Sequence, residues 1–196
     1  MAEPWLVAGL GNPGERFART RHNVGLMVVE RLCARLGVRL KKVRFVPIIA
    51  AEARAEGVPV VLTGPLAFMN ESGPPIASVA RRRGIPVERV VAVHDEIDLA
   101  FGALRIKRGG STAGHHGLDS LVEGFRGPGF YRVRLGVGRP PGRRDPVEFV
   151  LEPFAKRELE EVDVLIEDAA DAVVTLLAEG LGRAQDRFNR GGPAPR

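Results

Sequence analysis

The sequence is short of several things, and each shortage narrows what the protein can be. Cys33 is the only cysteine in 196 residues, so no disulfide framework is possible. It falls in the helical pattern NVGLMVVERLCARLG, where it fills space rather than acting as a nucleophile. No uninterrupted apolar run approaches the roughly 18 residues that span a bilayer. With 44% hydrophobic and 27% charged residues, the balance is that of a globular protein. Side-chain amides are scarce: Gln185 is the sole glutamine, and the asparagines are Asn12, Asn23, Asn70 and Asn189. Four lysines stand beside 25 arginines, as expected where thermolabile amides are avoided or arginine codons favoured. The N-terminal MAEPWLVAGLG has no basic stretch ahead of an apolar one, so it is not read as a secretory signal, and a cytoplasmic protein is expected.

What is present is concentrated. Three of the four asparagines lie in short motifs, GLGNPG, RHNVG and FMNESG, and all four histidines fall in such motifs too. The net charge of +5 and pI near 10.1 favour a polyanionic partner, although a merely basic surface accounts for them equally well. The length suits one domain, expected over residues 1–190, with the tail GGPAPR at 191–196 disordered.

Strand and helix patterns alternate, the mark of an α/β domain with a largely parallel or mixed sheet. Leu6 to Gly9 reads as a strand, and Asn23 as the cap of a helix whose apolar face carries Val24, Met27, Val28 and Leu32 and which stops at Gly37. Strands at Phe45 to Arg54 and Val58 to Thr63 form a hairpin through Ala55-Glu56-Gly57. A helix runs from Ser72 to Arg83, whose three terminal arginines suit the negative end of its dipole. RVVAVH, Arg89 to His94, is apolar enough to be a central strand and ends in acids. Strands at Ala103 to Lys107 and Tyr131 to Gly138, a helix near Leu118 to Phe125 and a long helix from Lys156 to Leu181 complete the pattern.

In open α/β sheets the functional groups gather at the carboxyl ends of strands. Asn12 follows the first strand, Phe68-Met69-Asn70 the Val58 strand, and His94-Asp95-Glu96 the central one, so distant segments can meet in one cleft. His22 precedes a helix start, whose positive end disfavours a protonated imidazole, and is a general-base candidate. Asp95 is the carboxylate placed to hold its tautomer. There is no GxSxG elbow, so water is the expected nucleophile, with Asn12 or Asn70 orienting it or donating to an oxyanion.

Two rival chemistries fit less well. GLGNPG matches a dinucleotide fingerprint, but the helix starts only after Arg21, Pro13 interrupts the turn, and no acid ends a second strand about 20 residues on. His94-Asp95 with His22 resembles the HD pair of metal phosphohydrolases, but those pairs sit on helices in all-α folds whereas this one ends a strand, and the adjacent His115 and His116 are poorly placed to share an ion. No metal and no cofactor is expected. RIKRGGSTAGHHG, Arg105 to Gly117, combines cations, glycines and hydroxyls before a helix start, a phosphate-holding arrangement that Arg134 can complete.

The motifs GLGNPG, TRHNVG, FMNESG, VAVHDEID, GHHGL and YRVRLGVGRP, in this order and spacing, closely resemble the bacterial peptidyl-tRNA hydrolase family over roughly the first 150 residues, and the C-terminal helix more loosely. The resemblance implies a single-domain α/β fold with a mixed, twisted sheet wrapped by helices. It implies a metal-free monomer that hydrolyses the ester between a peptide and the tRNA 3′ ribose. By position, His22 resembles the family's base, Asp95 its partner, and Asn12 and Asn70 the residues that place substrate and water. Phe17, Phe68 and Met69 match the groove for peptide and terminal adenosine; Lys107 and Arg134, assisted by Arg105, match the clamp on the tRNA 5′-phosphate. Two positions depart from the pattern: His116 stands where the family usually has asparagine, and Phe17 where it often has tyrosine. A non-catalytic RNA-binding module on the same fold is the alternative function.

Overall fold

The computed structural model describes residues 3–189, so the tail expected to be disordered lies outside the described residues. The chain opens with the strand Trp5–Gly9 (β1) and the helix Val24–Arg35 (α1), then the two-residue strand Lys41–Lys42 (β2). Ile48–Ala55 (β3) and Val58–Pro65 (β4) form a hairpin, followed by the helix Gly73–Arg82 (α2) and the wholly buried strand Val90–Glu96 (β5). Leu104–Arg108 (β6), His116–Phe125 (α3) and Tyr131–Gly136 (β7) come next. Three helices close the chain: Pro146–Val150 (α4), Leu159–Glu179 (α5) and Leu181–Phe188 (α6).

The seven strands lie in the order β2-β3-β4-β1-β5-β7-β6. The four central strands run parallel, and the pairs β2–β3, β3–β4 and β6–β7 are antiparallel. The result is a single α/β domain with a mixed sheet. One face packs on α1 and α5 through Val28, Leu32, Val93, Leu135, Leu165 and Val173; the other packs on α2 and α3 through Leu6, Ile76, Val79, Leu118 and Leu121. With both faces covered, β1 and most of β4 and β5 are apolar, while β5 ends in His94-Asp95-Glu96 and β7 carries Arg132 and Arg134. Their carboxyl ends share one edge of the sheet.

Several boundaries differ from the sequence pattern. The strand expected from Phe45 begins at Ile48, because Phe45 adopts a left-handed conformation (φ 62°) that breaks the extended run. The hairpin turn is as expected: Glu56 (φ 47°) and Gly57 (φ 78°) both have positive φ, the requirement of a type I′ turn. The long C-terminal helix is broken at Gly180 (φ 86°), giving α5 and a separate α6. That break lets α6 guard the edge strand β6: Asn189 Oδ1 accepts from the Ile106 N–H at 2.8 Å, and Gln185 Nε2 donates to the Ile106 carbonyl at 2.9 Å. Of the three arginines ending α2, Arg83 pairs with Glu52 at 2.7 Å.

Glycine matters most where α1 meets the sheet. A Cβ on Gly25 would lie 2.0 Å from the Val93 carbonyl oxygen, so the start of α1 rests directly on the backbone of β5. Gly25→Ala should therefore lift the helix start, lowering stability by about 1–3 kcal/mol. A thermal melt beside a hydrolysis assay would detect it, since the displaced segment carries His22.

Candidate active site

His22 stands in a 3-10 turn, Arg21–Asn23, immediately ahead of α1. Its two neighbours hold that turn. Arg21 is buried, pairs with Glu158 at 2.8 Å, donates to the Pro153 carbonyl at 2.9 Å and stacks on Phe149 at 4.2 Å. Asn23, expected to cap α1, makes no cap bond with its side chain. Its Oδ1 instead accepts from the Asn12 N–H at 2.8 Å, and its Nδ2 donates to the Asn12 carbonyl at 2.9 Å. The side chain is drawn across to the GLGNPG loop because a buried backbone amide and carbonyl there have to be satisfied. The same bonds occupy the loop backbone that a dinucleotide pyrophosphate would need.

β5 delivers Asp95. Its side chain is 3% exposed, and its Oδ1 accepts two hydrogen bonds, from His22 Nδ1 at 2.9 Å and from His115 Nε2 at 3.0 Å. Burial alone would raise the carboxyl, but the two imidazoles facing it outweigh burial and hold it well below the usual carboxylate range. The acids that the sequence places at the end of the strand are part of it: Asp95 and Glu96 are both buried.

His115 was not among the residues the sequence singled out for catalysis. It is the N-cap of α3, and its Nδ1 accepts from the backbone N–H groups of Gly117 at 3.2 Å and Leu118 at 3.3 Å. With Nδ1 an acceptor, the ring proton is on Nε2, which is the donor to Asp95. The loop that carries His115 is held from below by Arg132, 2% exposed, which donates to the Ser111 carbonyl at 2.7 Å and to His94 Nε2 at 3.2 Å. His94 is fully buried; burial first, then His115 and Arg132, push it well below the usual imidazole range, so it is uncharged. Its Nδ1 lies 2.6 Å from the Asp95 carbonyl, so His94 links Arg132 to the strand that carries the acid.

His22, Asp95 and His115 bring three potential ligand atoms within 4.8 Å of one another, a spacing for a divalent ion in which His115 stands where the sequence pattern offered His94. Neither His94 nor His116 is part of that group. Hydrogen bonding disfavours an ion at this place. A neutral imidazole bound to a metal through Nε2 carries its proton on Nδ1, where it normally donates to an acceptor, and His115 Nδ1 already faces two N–H donors.

These groups line a cleft of about 510 Å3 at the carboxyl edge of the sheet. Asn12, Phe68, Met69, Asn70 and His116 line it as well. Asn12 is nearly buried, and its Oδ1 accepts from the Met69 N–H at 2.8 Å, so the group it has left to offer is its Nδ2 donor. Asn70 and His116 are exposed in the cleft, His116 as the first residue of α3. The apolar lining comes from Phe68, 50% exposed, with Val147 and Leu151 of the α4 segment. The helix α4 was missed although its start was legible: Asp145 caps it through the Val147 N–H at 2.9 Å, and Pro146 follows at the first position.

Phe17 is the exception among the expected groove residues. It ends a separate 3-10 turn, Glu15–Phe17, half-buried beneath the Arg16 guanidinium at 4.4 Å, and does not line the cleft. The expected clamp residues also lie outside the cleft, grouped on β6 and β7. Register places Arg105 opposite Arg134 and Lys107 opposite Arg132, so four cations share one face of the sheet. Glu96, which does line the cleft, is their link to it, 3.1 Å from Arg134 and 3.8 Å from Arg132. Burial and then its arginine neighbours lower the Lys107 ammonium, and burial with Arg134 brings Arg132 down to about 10. In both, lost hydration comes first and the neighbouring positive charge second.

The family model described as "Peptidyl-tRNA hydrolase" matches residues 6–195. The chain belongs to the peptidyl-tRNA hydrolase family. It is 50% identical to the peptidyl-tRNA hydrolase of Frankia casuarinae over 95% of this chain and 94% of that one. To the peptidyl-tRNA hydrolase of Mycobacterium tuberculosis it is 46% identical over 96% and 99%. The crystal structure of peptidyl-tRNA hydrolase from Acinetobacter baumannii superposes with a TM-score of 0.90 at 35% identity, covering 99% of this chain and 98% of that one. Like other peptidyl-tRNA hydrolases, the protein is a hydrolase acting on the ester bond of peptidyl-tRNA.

Proposed function

We propose that the ester between the peptide and the tRNA 3′ ribose is cleaved by a water molecule that His22 deprotonates. The observation that carries this reading is the pair of hydrogen bonds that Asp95 Oδ1 accepts from His22 and His115. A buried carboxylate held in its charged form receives the proton of His22 Nδ1, which leaves the opposite ring atom, Nε2, as an unprotonated base on the cleft side. His115 helps keep Asp95 charged and oriented. As a positioned base, His22 supplies roughly 10²–10⁴ in rate. Asn12, through its uncommitted Nδ2, and Asn70 donate to the developing oxyanion or hold the water, a contribution of about 2.7–4 kcal/mol for one such donor.

The cleft offers different chemistry on its different sides. Phe68, Met69, Val147 and Leu151 form the apolar side and receive the peptidyl group and terminal adenosine. The cations Arg105, Lys107 and Arg134 take the tRNA 5′-phosphate; Arg132, buried beneath the loop, adds positive field there. An incoming phosphate replaces charge repulsion among these groups with charge-assisted hydrogen bonds. His116, in place of an asparagine, presents a ring N–H to the substrate. The protein works as a monomer in the cytoplasm, with residues 1–190 as one catalytic unit; among the described residues no helix is long and apolar enough to cross a membrane.

Incubating the protein with N-acetyl-aminoacyl-tRNA in the presence of a chelator, and measuring free tRNA, tests the reading directly. Hydrolysis should proceed at the full rate. Loss of turnover that is restored by a divalent ion would reassign His22, Asp95 and His115 as ligands.

A further inference from the structure

A second positively charged region lies at the other end of the sheet from β6 and β7. The strand β2 pairs with β3 (Lys41 opposite Ala50, Lys42 opposite Ile49), and the intervening turn carries Arg44 and Phe45. Phe45 is the most exposed large apolar side chain among the described residues, at 84%, and has φ 62°. An aromatic residue in the left-handed region is strained, and exposure of its ring forfeits burial as well, so folding stability does not account for this residue. The Arg44 guanidinium lies over the ring, 4.6 Å from its centroid. Beside this turn runs a groove of about 640 Å3 lined by Arg39, Lys41, Lys42 and Arg83 with Glu52 as its only carboxylate, four positive charges against one negative. Arg83 already pairs with Glu52, whereas Arg39, Lys41 and Lys42 are exposed and have no ion-pair partner among the described residues.

Lysines on an edge strand discourage pairing with another sheet, but that role needs neither the groove nor a strained, exposed phenylalanine under an arginine. We propose that the β2–β3 hairpin binds single-stranded RNA, with phosphates along Arg39, Lys41 and Lys42 and a base stacked on Phe45. A flat aromatic face beside a cationic track is the combination by which single strands are held without sequence readout. The site is separate from the cations of β6 and β7. The Leu66 N–H donates to the Pro47 carbonyl at 2.9 Å, which puts the hairpin turn on the same sheet edge as the cleft, beside the end of β4. At about 4.8 Å per strand it stands roughly 19 Å from β5, on the side of the cleft away from β6 and β7. RNA can therefore occupy the hairpin and the β6–β7 cations at once.

Fluorescence anisotropy with a short fluorescein-labelled oligouridylate, titrated at several salt concentrations, tests the proposal. Phe45→Ala should weaken binding about tenfold, within the range for removing one base-stacking platform. The double charge reversal Lys41→Glu with Lys42→Glu should reduce the salt slope by about 1.4, at roughly 0.7 for each phosphate of a single strand that is no longer neutralised. Arg134→Glu should leave this binding component in place. Phe45→Gly, which relieves the positive φ, should raise the melting temperature while weakening RNA binding, a pairing that a structural role for Phe45 would not produce. Unchanged affinity and salt slope in the hairpin variants would overturn the proposal, as would loss of all binding with Arg134→Glu alone. Displacement of the oligonucleotide by polyglutamate at equal charge concentration would also overturn it, in favour of an acidic protein partner.

Discussion

The His22→Ala protein should hydrolyse N-acetyl-aminoacyl-tRNA about 10²–10⁴ times more slowly than wild type, with the loss in kcat. That span corresponds to roughly 2.7–5.5 kcal/mol of barrier. The fold should survive, because the turn that carries His22 is held by its neighbours: Arg21 through Glu158, Pro153 and Phe149, and Asn23 through both backbone groups of Asn12. Among the described residues the imidazole itself has a single hydrogen-bond partner, Asp95, and Asp95 keeps its second donor, His115, when His22 is gone. Affinity for tRNA should also persist, since the phosphate-binding cations lie on β6 and β7 rather than beside the ring. A melting curve and a tRNA-binding isotherm close to wild type, beside a collapsed single-turnover rate, is the expected combination. Retained turnover would remove His22 from the mechanism.

Asp95→Asn is expected to be at least as damaging to catalysis, with kcat reduced by about 10³–10⁴, for a different reason. The replacement has the same shape, but its Nδ2 can donate to His22 Nδ1. The proton of His22 then moves to Nε2 and the base is lost from the cleft side. Even where the amide oxygen still accepts, no negative charge remains to stabilise the imidazolium that forms when water is deprotonated. The same variant has a second readout. Asp95 is held well below the usual carboxylate range, so its bonds stabilise the fold above the unfolded-state value, about 3.9, and that contribution is lost as pH falls below it. Wild type should therefore lose melting temperature on acidification below about pH 4, and Asp95→Asn should lose less of it. Identical slopes for the two proteins would mean that the histidines do not hold the carboxylate.

Much of the architecture could be read from local pattern. Alternation of apolar runs and amphipathic segments was enough for an α/β domain with a mixed sheet, and the hairpin at Glu56-Gly57 followed from turn chemistry. The scarcity of amides was also informative: Asn12 and Asn70 line the cleft, Asn23 braces Asn12, and Asn189 with Gln185 seals the β6 edge. Boundaries failed where one residue's backbone conformation overrode periodicity, at Phe45 and at Gly180. Phe17 was placed in the groove by resemblance to the family and lies outside the cleft, under Arg16.

Composition, hydrophobic period and turn residues were sufficient for the elements, and motif order for the family, because both are properties of neighbours along the chain. They also placed His22, Asp95, Asn12 and Asn70 near strand ends and helix starts, where one cleft could collect them. Which histidine of the pair at 115 and 116 meets Asp95 was beyond their reach, as were the buried Arg132 beneath the loop and the apolar wall of α4. Those outcomes depend on contacts such as His115 with Asp95, 20 residues apart, and Arg132 with the Ser111 carbonyl, 21 apart. A change of one position at the start of α3 turns a side chain by about 100°, so packing at that helix start, not residue type, selects the ring that reaches the acid.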